Sequence, residues 1–229
     1  MSPPHPDESE RETIPRPAKI GADLFELLFA GCKTEHHAAG QHLFVQEDIA
    51  DRVYGILRGT VEISLYSVGG KKLVANIERP PAVIGEIGAL DGGPRTATAI
   101  CLDDCDLVSI SRGQLFERIE RHPALARAMI EILCTRLRWV TGQLGDQAFL
   151  GIEARLAKRL LFVSAMMSDP TGWIPISQSE LAEFLGVTRE SVNKTLNEWR
   201  SRSIINMKRG GVRIERASGL RVIAEAEDD

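Results

Sequence analysis

The 229-residue chain is 43 % hydrophobic, enough for one large or two modest domains that each bury a core of their own. Its 28 basic and 32 acidic side chains leave a formal charge of −4, which excludes a protein that engages nucleic acid or an anionic membrane over its whole surface. Four scattered cysteines, Cys32, Cys101, Cys105 and Cys134, exclude a disulfide framework and point to a reducing, cytoplasmic setting.

Residues 1–20 are polar and proline-bearing, without the apolar segment of a signal peptide or a membrane anchor, so a disordered tail and no membrane partner are expected. Residues 21–122 read as a first domain. Glu35-His36-His37 reads as a solvated loop, since adjacent histidines point apart on most backbones, and no metal is expected. Short apolar runs then alternate with turn residues at 42–46, 54–57, 60–66, 72–77, 98–101 and 106–110. This is an all-β rhythm, and so many strands in so short a stretch suit a small barrel or β-roll. Gly69-Gly70 marks a hairpin turn, paired glycines supplying positive φ.

Residues 83–98 combine the Glu86 carboxylate, glycine-bearing backbone and the Arg95 guanidinium beside the Thr96 hydroxyl, the chemistry needed to hold a ribose phosphate. After Pro123, Ala126, Ile130, Leu133, Leu137, Val140 and Leu144 recur at alternating spacings of four and three, a heptad seam. A helix over 123–149 is about 40 Å long, more than its own domain can hide, so a second copy is expected to cover the seam. The helix is expected to pause near Gly142 and Gly145, with the interdomain hinge there and at Gly151.

Residues 150–223 read as a second domain. Within it Ser177-Gln178-Ser179-Glu180 is a capping box that opens a helix, Gly186 stops that helix, and Thr188 caps the next. With Val192, Leu196 and Trp199 buried, Arg189, Glu190, Asn193 and Lys194 lie on the outer face, the arrangement of a helix-turn-helix entering the major groove. Gln178, Ser179, Thr188 and Ser191 are short polar side chains at helix starts, suited to phosphate oxygens. Lys208-Arg209-Gly210-Gly211 reads as the basic tip of a wing hairpin, and residues 224–229 as an acidic tail. No nucleophile elbow, HExxH, P-loop or paired zinc-spaced cysteines occurs, so an enzyme is not expected.

Together these residues resemble the cyclic-AMP receptor protein and fumarate-nitrate regulator superfamily of bacterial transcription regulators. The carriers are Gly55-Ile56-Leu57-Arg58-Gly59-Thr60-Val61, Ile84-Gly85-Glu86 with Pro94-Arg95-Thr96-Ala97, and Gly186-Val187-Thr188-Arg189-Glu190-Ser191-Val192. The resemblance is to its cyclic-nucleotide-binding branch. It implies an α+β chain with an N-terminal cyclic-nucleotide-binding β-roll, a long dimerisation helix and a C-terminal winged helix-turn-helix, and a homodimer that binds double-stranded DNA and RNA polymerase. It implies further that Glu86 accepts the ribose 2'-hydroxyl and Arg95 pairs the cyclic phosphate, with Gly85, Ile87, Thr96 and Ala97 completing the cradle. Two departures follow. Where relatives activated by cyclic AMP carry a Thr-Ser pair against the adenine, this chain has Val140-Thr141, and Thr96 resembles the threonine of kinase cyclic-GMP sites, so cyclic GMP is expected to bind alongside cyclic AMP. Lys194 replaces a second arginine of the reader, which relaxes the preference at its base within a TGTGA-like half-site. Relatives that respond to a different signal, through redox chemistry, an iron-sulfur cluster or haem, or that act without a ligand, are the alternative class; only Cys32 lies near the N-terminus to serve a cluster.

Overall fold

The structure, a computed structural model, describes residues 20–226; residues 1–19 of the expected tail and 227–229 of the acidic tail lie outside them, and Ile20, counted with the tail, is buried in the core of the first unit. Chain order is α1 (Ala22–Leu28), β1 (Glu35–His37), β2 (His42–Phe44), β3 (Arg52–Arg58), β4 (Val61–Tyr66), β5 (Lys72–Glu78), β6 (Ala82–Ile84), α2 (Glu86–Asp91), β7 (Thr98–Cys101), β8 (Cys105–Ser111), α3 (Arg112–Arg121) and α4 (Ala124–Phe149). There follow α5 (Ile152–Met167), β9 (Trp173–Ile174), α6 (Gln178–Leu185), α7 (Arg189–Ser201), β10 (Ile205–Lys208), β11 (Gly211–Ile214) and α8 (Ala217–Ala224). Two compact units divide between Thr141 and Gly142, inside α4.

The first unit is a β-roll of two four-stranded antiparallel sheets, ordered β1-β8-β3-β6 and β2-β7-β4-β5. Ile56, Val61, Ile63, Ile84, Ala99 and Leu107 fill its interior. A second core joins Phe25, Leu28, Val53 and Ile110 to Leu125, Met129 and Ile132, so the first turns of α4 are part of the roll's packing. Burying each such Leu, Ile or Met side chain contributes roughly 1.5–3 kcal/mol, which fixes the helix to the roll.

Several local expectations are corrected. Glu35-His36-His37 is strand β1, not a loop: His36 faces Asp106 across the β8 ladder at 2.5 Å, and Arg58 holds the same carboxylate at 2.7 Å. The two contacts hold the Asp106 carboxyl down at about 2. At the β4–β5 hairpin Gly70 alone of the glycine pair takes a positive φ, +76°, and the turn closes through the Ser67 and Lys71 backbone. The glycine-bearing stretch after β6 is the short helix α2 rather than open backbone.

The long helix does not pause. It runs through Gly142 and Gly145 to Phe149, although each glycine costs a helix interior about 1 kcal/mol relative to alanine. An added Cβ at either position meets nothing within 4 Å, so packing does not demand glycine there. Arg136 and Trp139 tie the middle of α4 to the roll through Val83 O at 2.7 Å and Ala75 O at 3.1 Å. Ile130, Leu137, Val140 and Leu144 of the seam remain exposed.

The second unit packs α5, α6, α7 and α8 beside the three-stranded sheet β10-β11-β9. Ser177 and Glu180 cap α6 reciprocally, Gly186 ends it in the left-handed conformation, and the Thr188 hydroxyl caps α7 by accepting from the Ser191 amide at 3.3 Å. Trp199, fully buried, donates from Nε1 to Glu153 of α5 at 2.7 Å and so pins the second helix of the motif. Residues 217–224, which sequence periodicity left unassigned, form α8, burying Leu220 and Ala224; Glu225 closes that helix rather than opening a tail.

Candidate functional site

The roll presents a small cleft of about 30 Å³ lined by Phe44, Ile63, Gly85, Glu86, Ile87, Gly88, Arg95, Thr96, Ala97 and Arg136. Gly85, Glu86, Ile87, Arg95, Thr96 and Ala97 are thus brought together. Gly85 opens α2 at φ +75°, and a Cβ there would fall 2.5 Å from Arg95 Nη1, so both conformation and space require glycine.

Arg95 is fixed from all sides. Its amide donates to Asp48 O at 2.8 Å and its carbonyl accepts from Glu47 N at 2.9 Å. Its guanidinium donates to Gly85 O and Arg52 O, both at 2.7 Å, and lies over the Phe44 ring at 4.2 Å. Burial, the largest influence, lowers the Arg95 pKa, partly offset by the field of Tyr54, Asp51, Asp48 and Glu86. The guanidinium is therefore oriented before any ligand arrives.

Glu86 is fully buried and does not pair with Arg95. Its counter-ion is Arg136 from α4, at 3.0 Å but out of line for a hydrogen bond; Arg136 also approaches Glu78 at 3.5 Å. Both Glu86 oxygens, Arg95 Nε and Arg136 Nε are buried without a hydrogen-bond partner among the described residues. Leaving such groups unsatisfied costs about 1–3 kcal/mol each, more for charged ones, so their convergence on one cleft marks where a complementary ligand binds. Acceptors for a hydroxyl and two guanidiniums for an anion fit a ribose cyclic phosphate. Sequence periodicity missed Arg136 because the heptad pattern reports the seam, not a single residue beside it that reaches the roll.

Val140 and Thr141 are not among the lining residues. Both are exposed on α4. At about 100° per residue, Val140 is about 40° and Thr141 about 140° around the helix from Arg136, toward and past the seam, so the face that meets this chain's own cleft does not carry them.

In the second unit Arg189, Glu190, Asn193 and Lys194 are all exposed on the outer face of α7, opposite buried Val192, Leu196 and Trp199. Thr188 and Ser191 are hydrogen-bonded to one another at 3.0 Å, and Asn193 accepts from Asn197 at 3.0 Å. Gln178 is half-buried and Ser179 exposed at the start of α6. Part of the local basic excess is structural: Lys208 and Arg213 stack on Trp173 at 4.2 and 5.1 Å, Arg213 pairs with Glu215, and Arg216 caps carbonyls of Arg202 and Ser203.

Cys101 and Cys105 are buried; burial pushes the Cys101 thiol up to about 12 and raises that of Cys105 as well. They are core thiols rather than thiolate ligands. Among the described residues no group of three or more His, Cys, Asp or Glu is placed to hold a metal ion, and no helix is long and apolar enough to cross a membrane.

A nucleotide-holding β-roll followed by a winged helix-turn-helix defines a regulator that senses and reads DNA in one chain. Residues 34–122 match the cyclic nucleotide-binding domain family and residues 154–223 the Crp-like helix-turn-helix domain family. The chain is 29 % identical over 186 residues to the CRP-like cAMP-activated global transcriptional regulator of Mycobacterium tuberculosis, covering 79 % of this chain and 83 % of that one. It is 28 % identical over 185 residues to the cyclic AMP receptor protein of Thermus thermophilus, covering 81 % and 85 %. The solved structure of the c-di-GMP-responsive global regulator CLP of Xanthomonas campestris shares the fold, with a TM-score of 0.74, 23 % identity and coverage of 85 % of this chain and 99 % of that one. The chain belongs to the cyclic-AMP receptor protein and fumarate-nitrate regulator superfamily and is a DNA-binding transcription regulator with a cyclic-nucleotide-binding domain.

Proposed function

We propose that this regulator works in the cytoplasm as a homodimer whose hold on a TGTGA-like palindrome is switched by a cyclic mononucleotide, and that it acts on RNA polymerase at the promoters it occupies. The observation that carries the ligand is the convergence of buried, unsatisfied Glu86, Arg95 Nε and Arg136 Nε on one cleft. The lining carries two guanidiniums against one carboxylate, which suits a monoanionic phosphodiester. A cyclic dinucleotide has two phosphodiesters, and of the two lining cations Arg136 is already engaged by Glu86. That favours the mononucleotide over the signal named for CLP.

In this reading Arg95 holds the phosphate, Glu86 accepts the ribose hydroxyl, and Gly85, Ile87, Thr96 and Ala97 shape the cradle. Because Val140 and Thr141 point toward the seam, they meet the base held by the second copy, so the site is complete only in the dimer. Thr96 and Thr141 offer hydroxyls to a purine of either kind. Equilibrium dialysis with both nucleotides is expected to give micromolar binding of cyclic AMP and of cyclic GMP; binding of cyclic AMP with none of cyclic GMP would remove the dual-ligand reading.

On DNA, Arg189, Glu190, Asn193 and Lys194 read base edges, while Gln178, Ser179, Thr188 and Ser191 approach phosphates near their own helix caps. Arg189→Ala is expected to cost about 1–3 kcal/mol and to relax selectivity at one guanine. A binding array with unchanged base preference in that variant would refute the assignment. The nucleotide favours the docking-competent state by contacting that state better, through Arg136 and the base-facing residues of α4.

A further inference from the structure

A second acid lies behind the nucleotide cleft. Glu78, the last residue of β5, is fully buried and is not among the residues that line the cleft. Its partner across the β4–β5 ladder is Val61, so its side chain shares the interior face of the roll with Val61 and Ile63. Glu62 lies on the opposite face, paired with Lys72 at 2.9 Å. Oε1 of Glu78 accepts from Asn76 Nδ2 at 3.0 Å and lies 3.5 Å from Arg136 Nη2. The same guanidinium faces Glu86 at 3.0 Å through Nε and donates to Val83 O. One guanidinium therefore stands between two buried carboxylates. Trp139, one turn further along α4, donates to Ala75 O of β5 and anchors this stretch of the helix to the strand that carries Glu78.

Arg136 is thus matched twice over, whereas the guanidinium of buried Arg95 donates to the neutral carbonyls of Gly85 and Arg52. The carboxylate nearest Arg95, Asp51 at 3.9 Å, is exposed, as is Arg79 beside Glu78, so water screens what both contribute. We propose that Glu78 is a specificity-determining residue of the nucleotide site: by drawing on Arg136 it leaves counter-charge for one phosphate charge, so the cleft accepts a ring-closed phosphodiester and rejects the ring-opened monophosphate of the same nucleoside. A phosphate monoester carries about −1.5 to −2 at pH 7, with a second pKa of about 6, whereas the cyclic diester carries a single charge. The energy between a fixed charge and an anion scales with the charge of the anion. Glu78 therefore penalises the monophosphate about twice as strongly as the diester, acting through its field and through its hold on Arg136 without touching either ligand.

The proposal rests on the cyclic-mononucleotide reading, and calorimetry on the full-length protein with cyclic AMP and adenosine 5'-monophosphate tests the two separately. At about pH 7.5 the unaltered protein should prefer cyclic AMP, and lowering the pH to about 5.5 should narrow that preference at least about tenfold, as the monophosphate takes up its second proton. Glu78→Gln keeps the shape of the side chain and an acceptor for Asn76. It should narrow the preference at about pH 7.5 at least about tenfold and flatten its pH dependence. Glu78→Asp, which keeps the charge, should stay near the unaltered protein. A preference that Glu78→Gln leaves unchanged, or that Gln and Asp reduce equally, would overturn the proposal. A pH-independent preference of the unaltered protein would overturn it as well, and that profile decides the matter if a thermal melt shows Glu78→Gln to be unfolded. Absence of cyclic AMP binding by the unaltered protein is a distinct result, which would defeat the nucleotide reading and the proposal with it.

Discussion

Replacing Arg95 by alanine is expected to weaken binding of either cyclic nucleotide by at least about 100-fold, because stripping one partner from a buried ion pair costs about 3–5 kcal/mol. The guanidinium is held by two carbonyls and a phenylalanine face before the ligand arrives, so little of its pairing energy is lost to ordering. The same two carbonyls lose their donor in the variant, which lowers the stability of the roll by about 1–3 kcal/mol. Arg95→Lys separates the effects: it keeps the charge but loses the planar fork and its stacking on Phe44, and should fall between wild type and alanine. Isothermal calorimetry on protein shown to be folded by its thermal melt measures the difference. Wild-type heat in folded Arg95→Ala would show that the phosphate is held elsewhere.

The second large effect concerns the seam. Leu137 lies midway along the row of Ile130, Leu133, Val140 and Leu144 and is 67 % exposed in the single chain. Leu137→Arg therefore disturbs no core of its own protomer, yet in a dimer it sets two like charges against each other in an apolar interface. Sedimentation should show a monomer at micromolar concentration with an unchanged melting profile of the roll. Affinity for the palindrome should drop at least about 100-fold, since one reader alone contacts one half-site and loses the effective concentration supplied by its partner. A variant that still sediments as a dimer would show that the seam is not the contact.

How much of this was legible in the sequence depends on the range of the cause. The Tyr66–Lys72 hairpin, the Ser177 and Thr188 caps and the exposed heptad row announce themselves because their causes lie within a few residues. Glu86 and Arg95 could be singled out for the same reason, as an acid and a base in one glycine-bearing stretch. The three-residue strands β1 and β6 escaped because their pairing comes from β8 and β3, far along the chain. The capping box of Ser111 and Gln114 that opens α3 was readable by the rule used for Ser177, yet residues 111–122 received no element. Arg136 needed the tertiary fold: nothing near it in sequence says that its guanidinium lies between Glu78 and Glu86. Gly142 and Gly145 misled in the other direction, since glycine weakens a helix without ending it when side chains from a neighbouring helix hold the next turns.

Titration of the full-length protein against a TGTGA palindrome at near-physiological salt, with and without saturating cyclic AMP, tests the central claim most directly. The account predicts at least about a tenfold gain in affinity on adding the nucleotide, and no gain in folded Arg95→Ala protein. Equal affinity of the empty and the saturated wild-type protein for the palindrome would contradict it.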